Sequence, residues 1–111
     1  MNESTVIEKL EVVDPNWGKV SWTDAMKRIG ELGKGYRLPR PSELRNVIYP
    51  KLAKTDCHWT CDEHWTEKHI AYSQDPTYHK PEEDNKQNLI HVIIVRDISD
   101  EVIHELLFDS F

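Results

Sequence analysis

The tightest constraint in the chain is the segment Leu89–Ile98, where Ile90, Val92, Ile93, Ile94, Val95 and Ile98 leave few polar positions. A strand with one face in water alternates apolar and polar residues, because successive side chains point to opposite sides of the sheet. That alternation is missing from Val92 to Val95. The segment therefore predicts a strand buried on both faces, near the middle of a sheet. With 111 residues in all, the chain has room for one core of ordinary size, and residues 1–111 are read as a single domain.

Shorter patterns predict the remaining elements. Thr5 to Val13 sets Val6, Leu10 and Val12 among charged residues and ends at the turn signal Asp14-Pro15-Asn16, which suits an edge strand. Ser21 is placed to cap a helix starting at Trp22, with Asp24 at the third helical position to return a hydrogen bond. Trp22, Ala25, Met26, Ile29 and Leu32 then form one apolar stripe. Gly33 or Gly35 stops this helix. Pro41 suits the first position of a second helix with Leu44, Val47 and Ile48 inside, and Pro50 limits it to about two turns. From His58 onward, aromatic and β-branched residues predict two short strands joined near Asp62-Glu63. Asp75 to Asn88 reads as a long surface loop, and 100–111 as a helix or a terminal strand.

Charge narrows the range of partners. Against 14 Lys and Arg stand 20 Asp and Glu, a formal charge of -6, which repels nucleic-acid backbones and anionic lipid at long range. Nonspecific nucleic-acid binding and membrane association are not expected. Met1 to Leu10 lacks the pattern of a secretion signal, and no window approaches the roughly 18 apolar residues of a membrane span. The expected location is the cytoplasm, where Cys57 and Cys61 would be thiols. A chain of this length needs neither a metal nor a disulfide to fold, and no cofactor is implied.

Two chemical readings attach to the region around those cysteines. Cys57, Cys61 and His64, with His58, His69, His79 or His91 as a fourth ligand, supply the donor types of tetrahedral zinc. Their spacing lacks the second tight pair of a zinc ribbon or finger. The same thiols beside His58 or His64 have the composition of a nucleophile and base pair. Against both, a strand puts Cys57, Trp59 and Cys61 on one face, where the thiols pack as small apolar groups.

The segments Ser21-Trp22-Thr23-Asp24-Ala25-Met26, Gly35-Tyr36-Arg37-Leu38-Pro39, Glu43-Leu44, His58-Trp59-Thr60 and Val95-Arg96-Asp97 resemble, in order and spacing, the bacterial and phage DUF1566-like domains. Those domains share the C-type-lectin fold with the formylglycine-generating enzymes. The resemblance spans about residues 20–98. It implies an α+β fold with two short helices packed on a small twisted antiparallel sheet, and ligands held by loops between the later strands. The chain departs from the pattern at Arg40, where a small capping residue is usual. It also departs at Arg28 and Ile98, which lie near positions of paired cysteines in relatives. The signatures of calcium-dependent sugar binding are absent, Pro81-Glu82-Glu83-Asp84-Asn85 being a poor substitute.

These readings favour a non-enzymatic module that binds a protein partner or small ligand through Asp62, His64, Trp65, Tyr78 and His79. Resemblance and charge together suggest a phage or mobile-element protein that occupies a basic site on a host factor. The alternative is a zinc- or thiol-dependent enzyme centred on Cys57, His58, Cys61 and His64.

Overall fold

In the computed structural model, which describes residues 3–98, the N-terminal segment turns back on itself at Glu8 and Lys9, both at positive φ (50° and 64°). The turn joins β1 (Glu3–Ile7) to β2 (Leu10–Asp14) with Ile7 opposite Leu10. The expected single edge strand is thus a hairpin. Two-residue hairpin turns with both φ values positive usually carry Asn-Gly or Asp-Gly, and Glu8-Lys9 gives no such signal.

After β3 (Lys19–Val20), α1 spans Trp22–Leu32. Ser21 caps it by accepting the Asp24 backbone N–H at 3.1 Å. The Asp24 carboxylate pairs with Arg28 one turn on, at 3.0 Å, in place of the expected return bond. Trp22, Ala25 and Ile29 are buried. Met26 and Leu32 are exposed, so the apolar face is narrower than its spacing suggests. Gly33, at φ 62°, ends the helix and donates to the Ile29 carbonyl.

The second helical region corrects the expectation that Pro50 ends it. It comprises α2 (Pro41–Glu43), a π-helical turn (Leu44–Ile48) and α3 (Tyr49–Leu52). Proline lacks the N–H that an α-helix uses and collides with the carbonyl four residues back. The wider turn, in which the Tyr49 N–H reaches the Leu44 carbonyl, carries the backbone through Pro50. Ala53, in the left-handed region, ends the run.

The later strands are β4 (His58–Glu63), β5 (Ile70–Gln74), β6 (Glu82–Asn85), β7 (Ile90–His91) and β8 (Ile94–Asp97). Residues 64–69 join β4 to β5, so Trp65 and Thr66 lie in a connection and not in a strand. β6 forms inside the segment expected to be all loop, and shortens that loop to residues 75–81. The predicted strand Leu89–Ile98 is two strands in two sheets, broken at Val92–Ile93. Leu89 itself is 65% exposed.

The sheets have orders β1-β2-β8 and β3-β7-β4-β5-β6. All pairs are antiparallel except β4 with β7, which run parallel at His58 and His91. The architecture is α+β, with two mixed or antiparallel sheets where one antiparallel sheet was expected. Among the described residues no helix is long and apolar enough to cross a membrane. The segment 100–111, read as helix or strand, lies outside the described residues.

Two cores meet along the last apolar run. Val92 and Ile94 join Val13, Trp22, Ile29, Leu38 and Trp59 in one. Ile93 and Val95 join Ile7, Val12, Leu44 and Ile48 in the other. Burial on both faces is as the sequence predicts, although β8 is the last strand of its sheet. Its outer edge is covered by Arg37, whose backbone exchanges two 2.8 Å hydrogen bonds with Val95.

Two tryptophans knit the corner between β3, α1 and β4. The Trp22 indole donates to the Thr60 carbonyl and the Trp59 indole to the Val20 carbonyl, each at 2.9 Å. Arg37 fixes the link between the helical regions by a two-pronged pair with Glu43 at 2.7 and 2.8 Å. Nη2, one of the two nitrogens of that pair, also reaches Asp97 at 3.3 Å. Glu43 also accepts the Arg40 backbone N–H at 2.8 Å, the return half of a capping box, while the Arg40 side chain makes no cap hydrogen bond. A lysine cannot reproduce this planar fork. Arg37→Lys is expected to lower unfolding free energy by about 1–2 kcal/mol in urea titration; a loss indistinguishable from zero would show that the fork adds no stability.

Candidate functional site

The side chains that the sequence nominates lie at opposite ends of the β4–β5 hairpin. Asp62, His64 and Trp65 are at the end where residues 64–69 join the strands, and Tyr78 and His79 follow Gln74 at the other. Four strand steps separate the two ends by roughly 13 Å, so the five residues form two patches and not one site.

In the first patch His64 is built into its own turn. Its Nδ1 accepts the Glu67 backbone N–H at 3.0 Å and that of Thr66 at 3.2 Å. Its ring stacks on Tyr72, and Nε2 faces Glu83 at 3.5 Å. A nitrogen that accepts from the backbone has no lone pair to give a metal. Asp62 accepts from the Cys61 thiol at 3.6 Å. Trp65 is 90% exposed, against its expected place in a strand.

The zinc ligands do not assemble. Cys57 donates to Asp75 at 3.5 Å, Cys61 turns to Asp62 and packs against the core around Trp59, and His64 is held as above. Among the described residues no three of His, Cys, Asp and Glu converge in a way that could hold a metal ion. Burial, reinforced by Asp75, pushes the Cys57 thiol up to about 11. Burial, then Asp62, also raises Cys61. Both shifts oppose the thiolate that a nucleophile or metal ligand requires.

At the second end the residues are organised from within. Gln74 is fully buried, and its amide nitrogen donates to the carbonyls of Asp75 (3.0 Å), Tyr78 (2.7 Å) and Lys80 (3.4 Å). Asp75 accepts from the Thr77 backbone and hydroxyl, both at 2.7 Å. The Arg45 guanidinium, from the π-helical turn, donates to the His79 carbonyl. Loop 75–81 is therefore tied down while its side chains stay outside. Tyr78 is 46% exposed, its ring centroid 4.9 Å from that of His79. With Arg45, Asn46, Pro76 and Thr77 these two line an open groove of about 510 Å³.

A cleft that shares no lining residue with the groove has no signal in the sequence. It measures about 370 Å³ and is lined by His58, His91, Asp14, Asp56, Lys54 and Val92, among others. His58 is only 5% exposed. The Tyr49 hydroxyl donates to the Gln74 carbonyl at 2.8 Å and lies 3.0 Å from His58 Nδ1. A phenol has one hydrogen, and a carbonyl can only accept it. The Tyr49 oxygen thus accepts from His58 Nδ1–H, which leaves Nε2 as the bare nitrogen. The sequence singles out His58 as a possible metal ligand or base beside the thiols, and gives no signal for Tyr49. Their partnership depends on the π-helical turn, which no local motif announces.

No protein-family model matches the chain, and no curated protein matches it in sequence.

Burial, with smaller contributions from His91 and Lys54, lowers His58 from its ordinary 6.5 to about 4. In that window the unfolded chain binds a proton that the folded one refuses. Stability is then full above pH 6.5 and is lost as pH falls toward 4. The expected contribution is about 3 kcal/mol at its limit. Urea titrations from pH 7 to 4 measure it, and His58→Gln, which cannot take up the proton, should flatten that slope. An unchanged slope would mean that other groups drive acid unfolding.

Proposed function

We propose that the protein is a non-enzymatic binding module whose main contact surface is the end of the five-stranded sheet carrying Tyr78 and His79. The observation that carries this reading is the loop itself. Buried Gln74 and Arg45 fix its backbone, yet the Tyr78 and His79 rings project beside an open groove. Loops set on a rigid scaffold are common binding elements. An aromatic ring gives large contact area for little lost entropy, and prior anchoring of the backbone lowers the cost of ordering it.

The C-type-lectin-like, DUF1566-like reading belongs to the same proposal. The order of α1, the Arg37-Leu38-Pro39 link, a second helical region and late strands separated by loops supports it. The charge of -6 favours a basic partner, such as a host factor met by a phage or mobile-element protein, in the cytoplasm. Trp65, with Asp62 and His64 below it, offers a second and smaller contact point at the far end of the hairpin.

Affinity capture with the purified protein as bait, repeated with Tyr78→Ala and Trp65→Ala at matched fold stability, tests the reading. A partner held by the wild type should bind Tyr78→Ala at least about fivefold more weakly in direct titration, a loss of about 1 kcal/mol or more. Equal affinity for wild type and Tyr78→Ala would remove the groove from the account. Loss with Trp65→Ala alone would move the surface to the other end of the sheet.

A further inference from the structure

The cleft of His58 and His91 has the composition of a recognition site and is independent of the Tyr78 surface. Its walls come from segments distant in sequence: Asp14 ends β2, Lys54 and Asp56 lie in the stretch after α3, His58 opens β4 and His91 closes β7. The parallel pairing of β4 with β7 puts the two histidines side by side, with ring centroids 6.1 Å apart. Asn16 and Gly18, both at positive φ, bend the chain around the rim.

The polar groups facing the cavity are mostly acceptors. His58 Nε2 has no hydrogen-bond partner among the described residues, while Nδ1 is committed to Tyr49. Asp56 Oδ2 lies 3.5 Å from His91 Nε2, and that carboxylate is largely exposed. Asp14 shares one oxygen with Lys54 at 3.3 Å and accepts the Asn16 backbone N–H with the other. Two carboxylates face one lysine ammonium, so these groups together leave one net negative charge in the cleft. The charge of -6 on the whole chain has the same sign. Fields from distant residues are screened within about 8 Å at physiological salt, so Asp14 and Asp56 set the local preference.

We propose that this cleft binds a cationic nitrogen group, a guanidinium or primary ammonium, with its N–H donors shared between His58 Nε2 and the Asp56 carboxylate. An anion would meet two carboxylates and an imidazole nitrogen with no hydrogen to give, and the one ammonium, Lys54, is already paired with Asp14. A cation finds three acceptors, in a volume within the usual range for small ligands. Such a group occurs both on free amines and on lysine or arginine side chains of a basic protein. The Tyr49–Gln74 hydrogen bond holds the His58 tautomer ready, so no proton has to move on binding.

The test follows the His58 and His91 ring signals by NMR at pH 7 while methylguanidinium, butylammonium or the capped peptide acetyl-Gly-Arg-Gly-amide is added. Sodium chloride and sodium acetate at equal ionic strength are the controls. Both ring signals should move and saturate with the nitrogen cations, with a midpoint on the order of 10 mM for probes this small. Asp56→Asn, at an exposed position where folding is not at risk, should weaken that binding several-fold. Tighter binding of the peptide than of methylguanidinium would assign the cation to a protein partner, and equal binding to a free small cation. The proposal is overturned if the rings do not respond, if sodium chloride or acetate moves them equally, or if Asp56→Asn binds as the wild type does. Tyr78→Ala should leave these titrations unchanged, so failure here and failure of the Tyr78 surface are separate results.

Discussion

The fold depends on the two-sided burial of Val92 to Val95. Because side chains alternate along an extended chain, Val92 and Ile94 enter the core under α1, while Ile93 and Val95 enter the core under the second helical region. One short apolar run is thus the shared wall of both cores. A one-residue slip would exchange the two sets and carry Arg96 or His91 into a buried position. The backbone pairings between Val95 and Arg37, and between Val12 and Val95 in β2, oppose that slip. Arg37 in turn is held by Glu43, so the link between the helical regions and the wall between the cores are locked by the same residue.

Much of this arrangement could be read from the sequence because it is local. Ser21 caps α1 and Gly33 ends it, since both act within one turn of the helix they bound. The burial of Val92 to Val95 could be read because it is periodic. What could not be read depends on residues that meet only in three dimensions. Glu8-Lys9 takes up positive φ without a turn motif, because pairing along β1 and β2 outweighs the local preference. Pro50 stays inside a helical path because a π-helical turn accommodates it, and propensity has no means of announcing that. β6, the polar strand Glu82–Asn85, has the composition of a loop, and its strand geometry comes from pairing with β5.

The candidate site divides in the same way. Tyr78 and His79 could be nominated from composition, since an aromatic residue in a polar, proline-bearing stretch suggests a surface loop. That buried Gln74 would gather three carbonyls of that loop could not be foreseen. Glutamine at a strand end usually signals solvent, and here it is fully buried. His64, nominated as a ligand, is spent on its own turn because its ring lies close to the amides of Thr66 and Glu67. Nearness in sequence favoured that local use over a distant one.

His58 and His91 are 33 positions apart and share no motif, yet the parallel register of β4 and β7 makes them neighbours. Tyr49 joins them only because the π-helical turn advances α3 far enough for its hydroxyl to reach both His58 and the Gln74 carbonyl. The same Gln74 holds the Tyr78 loop through its side chain. Its backbone therefore sets the tautomer of the cleft histidine, and its amide sets the shape of the aromatic loop. The groove and the cleft are separate surfaces built on one buried residue: a substitution at Gln74 removes the amide that holds the loop but keeps the carbonyl that meets Tyr49, so it would loosen one surface and leave the other's anchor in place.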